Sequence, residues 1–261
     1  MKVRPAAVAG SFYPADPRRL EAEVRGPLAA AAPPLGWRPK ALIAPHAGYV
    51  YSGPVAGSAF RQLASGRGEI DRVVLLGPSH FVPFAGLALP VAEAFETPLG
   101  DVPVAADAAV HLASLPQVVS SDLPHEREHA LEVELPFLQV ALERFELVPL
   151  VVGEAEAEEV AAVLDRLWGG EETLIVVSTD LSHYRDYAIA AALDRATADA
   201  IVALDVEGIA AGAACGRHPL RGLLLAARRR GLEVAELDLR SSGDTAGGRD
   251  RVVGYGAFAL A

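Results

Sequence analysis

The chain has 261 residues, 51% of them hydrophobic, and 23 Lys and Arg against 34 Asp and Glu give it a formal net charge of -11. That length and apolar fraction supply a sizeable core and exclude a disordered chain. The acidity argues against nucleic acid and anionic membrane surfaces as main partners, because both require clustered positive charge.

The first helical signal is "ADPRRLEAEVRGPLAAA", where Asp16 caps, Pro17 suits the first position, and Leu20, Val24 and Leu28 share a face. A Pro-rich connector leads to the short β run "KALIAPHAG" and then to a small-residue helix, "SGPVAGSAFRQLA". "IDRVVLLGPSH" is continuous in its apolar residues, as in a parallel strand covered on both faces. "GLALPVAEAFETPLGDVPV" carries the punctuation of strands and turns, and "ADAAVHLAS" reads as helix. "HEREHALEVELPFLQVAL" reads as a longer helix, kinked or interrupted near Pro136. "FELVPLVVG", "ETLIVVSTD" and "VVGYGAFAL" are further buried strands, separated by the helical windows "EAEEVAAVLDRLW", "YAIAAALDRATADAIVAL" and "LRGLLLAARRRG". The arginine run closing the last window fits a solvated helix end with a Gly stop. Strands alternating with helices predict an α/β fold: a single layered domain over residues 1–261, with a central mostly parallel sheet flanked by helices. The one cysteine, Cys215, allows no intramolecular disulfide and suits a reducing cytoplasm. Neither a signal peptide nor a membrane-spanning segment is expected.

The chemistry stands at the ends of the apolar runs. "ALIAPH" ends in His46, "RVVLLGPSH" in His80, and "LIVVSTDLSH" delivers Asp180 and His183. In open α/β sheets ligands bind beyond the carboxyl ends of the strands, so three such ends among only seven histidines mark a candidate site. "HEREHALEVE" adds His125, Glu126, His129, Glu132 and Glu134. His125 and His129 stand at i,i+4, the spacing that a helix places on one face. The likeness to the zinc-protease pattern is superficial, and a charged helix N-terminus explains the acids equally well. His125 and Glu126 are expected to reach the crevice from a loop, and His129 to play a structural or supporting part. Asp244 lies in "RSSGDTAGG", where turn chemistry is the ordinary explanation.

Taken together, "GSFYPADP", "IAPHAGYVYSG", "LLGPSH", "HEREHALEVELPFL", "VSTDLSHY", "CGRHPL" and "SSGDT" resemble the Memo-like proteins, in order and from near the N-terminus to the last strand. Bacterial members carry the label AmmeMemoRadiSam system protein B. The resemblance implies a fold similar to the class III extradiol ring-cleaving dioxygenases and a non-haem metal, Fe(II) foremost, with Cu or Zn as alternatives. It also implies functional association with radical SAM and AMMECR-type proteins. Carried over by motif, the metal ligands fall on His46, His80 and, by alignment through "SSGD", Asp244. Two histidines and a carboxylate would form the facial triad of Fe(II) oxygenases. His183 matches the acid/base position, with Asp180 orienting it or the ligands. Tyr49, Tyr51 and His218 are candidates for the pocket wall, each with a packing role as the alternative. Cys215 is expected to be a small buried residue and no ligand. Three functions follow: an oxygenase acting on an unknown small molecule, a non-catalytic metal-binding or protein-interaction module, and a zinc hydrolase using the same ligands.

Overall fold

The computed structural model describes every residue except Arg67. In chain order its elements are β1 (Val3–Arg4), α1 (Pro17–Ala30), β2 (Ala41–Ala44), α2 (Tyr49–Phe60), β3 (Arg72–Pro78), β4 (Leu87–Leu89), β5 (Ala94–Phe95), β6 (Val102–Pro103), α3 (Ala108–Leu112), β7 (Val118–Ser120), α4 (Leu135–Ala141), β8 (Glu146–Val152), α5 (Ala157–Leu167), β9 (Thr173–Ser178), β10 (His183–Arg185), α6 (Tyr187–Val202), α7 (Arg217–Arg230), β11 (Val234–Ser241), α8 (Ser242–Thr245) and β12 (Val252–Leu260). Among the described residues the main sheet has nine strands in the order β10-β12-β2-β9-β3-β8-β4-β7, with β11 also paired to β12. Its centre, β2-β9-β3-β8, is parallel throughout. The outer pairs β12-β2 and β4-β8 are antiparallel.

The continuous apolar runs follow from burial on both faces. Ala41, Ile43, Val74 and Leu76 point to the side covered by α5 and α7. Leu42, Ala44, Val73 and Leu75 point to the side of α1, α2 and α4. Alternate residues therefore enter different cores, and neither face tolerates a polar side chain. The opening helix starts as its sequence dictates: the Asp16 carboxylate accepts from Arg19 N at 2.9 Å, Pro17 begins the first turn, and Leu20 and Val24 are fully buried.

Two expectations are corrected. The long helix expected from His125 onward does not form: residues 122–131 are turns and irregular chain, a 3₁₀ turn spans Glu132–Glu134, and α4 begins at Leu135. Pro136 lies in the first turn of α4, where a missing N–H has no helical partner to lose, so it starts a helix and does not kink one. The strand β11 was not foreseen. Its sequence, VAELDLRS, carries charges at a half-covered position of the sheet and reads as polar chain. No helix among the described residues is long and apolar enough to cross a membrane.

Candidate metal centre

The carboxyl ends of β2, β3 and β9 open onto one cleft of about 710 Å³, lined among others by His46, His80, His129, Asp180, His183 and Tyr51. His46 follows β2 and is 1% exposed. Its backbone N–H donates to Asp180 Oδ1 at 2.9 Å, and its Nδ1 lies 2.7 Å from Ser178 Oγ at the end of β9. His80 follows β3. Its backbone N–H donates to Glu128 Oε2 at 2.6 Å and its Nδ1 sits 2.8 Å from Glu128 Oε1. With both Nδ1 atoms engaged on the far side, each ring turns Nε2 inward. The two rings meet edge to face with centroids 5.3 Å apart.

The third donor at this point is Cys215. Its Sγ lies 3.3 Å from His46 Nε2, and ligand atoms of His46, His80 and Cys215 all fall within 4.8 Å of one another. Packing brings it there. Cys215 N donates to Asp180 O at 3.2 Å, and Asp180 N donates back to Sγ at 3.2 Å. Next to it, a Cβ on Gly216 would stand 2.6 Å from Thr179 Cβ and 2.9 Å from Ser178 O, so only glycine lets the start of α7 press against the end of β9. Burial, with the Asp180 charge adding to it, pushes the Cys215 thiol up to about 12. It is therefore a protonated thiol until a cation displaces the proton.

Asp244 is elsewhere. Its Oδ2 accepts from Ser241 N and Oγ, both at 2.9 Å, in the capping box of α8. Its Oδ1 accepts from Tyr187 O–H at 2.6 Å, with Arg249 3.6 Å away. It belongs neither to the His46, His80 and Cys215 group nor to the other group of donors that converges among the described residues, His80, Glu128 and His129. The facial triad expected from His46, His80 and Asp244 is not assembled. The thiol set aside on sequence grounds stands where the third donor was sought.

The acids and histidines of "HEREH" sort themselves by which way a turn faces. Letter for letter the segment fits the zinc-protease pattern, but no helix carries it, so His125 and His129 do not share a face. His125 is buried against Phe95, its Nε2 3.0 Å from Ala88 O, and Glu126 is exposed; neither reaches the cleft. Glu128, 2% exposed, is the residue that does the work expected of Glu126. Besides His80 it accepts from His129 N and Ala130 N, both at 2.9 Å. Burial alone would raise its pKa, but the bonds and charge of His80 and the backbone N–H groups hold it below the usual carboxylate range. His129 lines the cleft, its ring stacked on that of His80 with centroids 4.6 Å apart.

Asp180 and His183 both line the cleft. Burial lifts Asp180 to about 7 against the opposing pull of the His46 and Ala47 backbone N–H groups. It anchors the His46 main chain; Ser178 is what touches that ring. His183 Nδ1 lies 2.8 Å from Leu181 O, which assigns the proton to Nδ1 and leaves Nε2 as the acceptor. Burial holds this imidazole below its ordinary pKa, with the His80 charge adding to the effect, so it is neutral at pH 7. The pairing of β10 with β12 slips register between His183 and Arg185, and Tyr184 between them takes a left-handed φ of 56°. That bulge turns the Tyr184 ring to the cleft rim, under the guanidinium of Arg251. Tyr49 is in the core, donating to Val133 O at 2.7 Å, and His218 Nδ1 sits 2.7 Å from Ala155 O, so neither forms the wall expected of it. Tyr51 does line the cleft.

A sequence model of the family described as "Memo: Memo-like protein" matches residues 4–259. Relatives named MEMO1 family protein align over almost their whole length. That of Sulfolobus acidocaldarius is 33% identical over 279 residues, covering 97% of each chain. That of Methanothermobacter thermautotrophicus is 35% identical over 274 residues, covering 97% of this chain and 98% of the relative. That of Methanopyrus kandleri is 36% identical over 285 residues, covering 98% of each. The solved structure of an uncharacterized protein from Escherichia coli K12 superposes with a TM-score of 0.50 at 14% identity, covering 84% of this chain and 99% of its own; the likeness is one of fold.

Proposed function

The chain belongs to the Memo-like family, and from that premise we propose that it is a metal protein whose ion is held by His46 Nε2, His80 Nε2 and Cys215 Sγ. The supporting observation is the convergence of these three donors, His46 and His80 lining the cleft and Cys215 packed against His46 Nε2, each fixed from behind by Ser178, Glu128 or the Asp180 main chain. Of the functions open to such a centre, an oxygenase acting on a small molecule fits best. The cleft has the size of a small-ligand site, about 710 Å³. Of the two other imidazoles lining the cleft, His129 converges with His80 and Glu128, while His183, neutral and with Nε2 left as an acceptor, is the group we assign to take a proton from a substrate hydroxyl. A redox-active metal, when bound, supplies one-electron chemistry and coordination positions that three protein ligands leave open. Fe(II) is the metal we propose, by resemblance to the ring-cleaving dioxygenases. Activity in the cytoplasm alongside a radical SAM enzyme belongs to the same reading.

The test is oxygen uptake by the anaerobically Fe(II)-loaded protein, offered a panel of catecholic and other small hydroxylated compounds. Turnover that falls about 10²–10⁴-fold in His183→Gln with the metal retained supports the oxygenase. A silent wild type across the panel rejects it. One observation favours a second reading: a thiol among the donors is softer than the carboxylate of the facial triad and suits Cu(I) or Zn. On that reading the chain holds metal without turnover, and the same experiment, repeated after metal analysis of protein expressed without added metal, separates the two.

A further inference from the structure

Behind His46, on the side away from the cleft, Ser178 Oγ lies 2.7 Å from three atoms at once: His46 Nδ1, the Ala130 carbonyl oxygen and Glu134 Oε1. Ser178 and Glu134 are fully buried and His46 is 1% exposed, so each of these contacts has to be a real hydrogen bond. A hydroxyl offers one proton and two lone pairs. The Ala130 carbonyl can only accept, so it takes the serine proton. Ser178 must then accept from both remaining partners, which requires a proton on His46 Nδ1 and a proton on Glu134 Oε1. Every other assignment fails. An ionised Glu134 competes with Ala130 O for the single serine proton and sets two acceptors 2.7 Å apart with nothing between them. A bare Nδ1 on His46 does the same.

We propose that Ser178 is a positioning residue: with its one proton on Ala130 O it accepts from Glu134, a neutral acid, and from His46, and so fixes His46 in the Nδ1–H form with its Nε2 lone pair facing Cys215 and the cleft. The inference rests on the metal-centre reading above for its consequence, though not for its geometry. Other features agree with it. The second oxygen of Glu134, Oε2, has no hydrogen-bond partner among the described residues, a state costly for a buried carboxylate and mild for the carbonyl oxygen of an acid. Among the described residues no ion pair reaches Glu134, whereas Glu132, two residues earlier, is paired with Arg4. Burial, reinforced by the charge of Asp180, also raises Glu134 well above the ordinary carboxylate range. The resulting chain, Glu134 to Ser178 to His46, supplies the outer hydrogen bond that a metal-bound imidazole uses to hold its tautomer and orientation.

The experiment compares wild type, Glu134→Gln and Ser178→Ala as full chains, with thermal melts to establish folding. Two-bond ¹H–¹⁵N correlation spectra of the metal-free proteins report the tautomer of His46. Co(II) titration, read on the thiolate-to-Co(II) absorption, reports the affinity of the centre. Gln keeps a donor toward Ser178 through its amide, so wild type and Glu134→Gln show the Nδ1–H form and equal Co(II) affinity. Ser178→Ala, which removes the acceptor facing His46 Nδ1, shows mixed tautomers and binds Co(II) about 10–100-fold more weakly. A Ser178→Ala variant that keeps both properties, or a Glu134→Gln variant as weak as Ser178→Ala, overturns the proposal. Should Ser178→Ala not fold, the ¹³C carboxyl resonance of Glu134 in the wild type decides: a neutral acid at pH 7 supports the assignment and a carboxylate overturns it. Wild type that takes up no Co(II) would refute the metal-centre reading alone, since the tautomer of His46 in the metal-free protein still decides the role of Ser178.

Discussion

At the scale of single residues, the third donor decides the chemistry of the centre. Cys215 and Asp244 are both polar groups near the C-terminal third of the chain, but only Cys215 stands against His46 Nε2. Cys215→Ser is expected to abolish stoichiometric metal binding measured by elemental analysis after gel filtration. Asp244→Ala is expected to keep full metal content and to cost about 1 kcal/mol in urea unfolding, the ordinary value of a lost helix cap. The reverse pattern would restore the carboxylate as ligand. Glu128 is the comparable case among the acids. Glu128→Gln leaves His80 Nδ1 facing an amide of ambiguous polarity, and a loss of metal affinity of about 10–100-fold is expected by chelator competition.

At the scale of elements, the site depends on two close approaches. The start of α7 meets the end of β9 at Gly216, where a Cβ would lie 2.6 Å from Thr179 Cβ. Gly216→Val should therefore displace Cys215 and weaken metal binding while the sheet survives, a combination visible as intact far-ultraviolet circular dichroism with reduced metal content. The second approach ties the N-terminal strand to the turns that carry Glu128 and His129. Arg4, 4% exposed, forms an ion pair with the fully buried Glu132 and donates to the carbonyls of His125 and Glu128. Glu132 also accepts from Ala7 N, Val8 N and the Tyr13 hydroxyl. Arg4→Met leaves that carboxylate buried without its cation and is expected to cost about 3–5 kcal/mol, measured by denaturant unfolding. A cost under about 1 kcal/mol would mean that the turns hold their shape without the arginine.

At the scale of the whole molecule, the buried histidines tie stability to pH. Burial lowers His125 to about 4; Arg4 adds to the effect, and the Ala88 carbonyl, Asp122 and Glu128 oppose it. In the unfolded chain a histidine titrates near its model value of 6.5. Above that pH both states are neutral and the full stability is present. As pH falls from about 6.5 toward about 4, the unfolded state binds the proton first and stability is lost, at most about 3 kcal/mol from this one group. His129, also lowered to about 4 by burial, acts in the same direction. Urea midpoints of the metal-free protein should fall across that window, and His125→Phe, which removes the titrating ring, should flatten the fall. An unchanged slope in that variant would assign the acid sensitivity elsewhere.

Much of this protein is written locally. Runs such as "RVVLLGP" and "LIVVS" are apolar at every position because both faces of their strands are covered, and that burial is a property each residue carries alone. The same logic put His46 and His80 at strand ends and so in the crevice. The extra strand β11 escaped because half-covered strands carry charges and resemble loops. The sequence by itself therefore determined the α/β layering, the family likeness and the two histidines at the head of the site. Only the tertiary structure decided that Cys215 and not Asp244 joins them, that Glu128 and not Glu126 orients His80, and that Glu134 stands behind His46. Each of these is a meeting of segments dozens of residues apart, fixed by how α7 and the 122–134 turns pack on the sheet. Periodicity tells a residue whether it is buried; it does not tell it against whom.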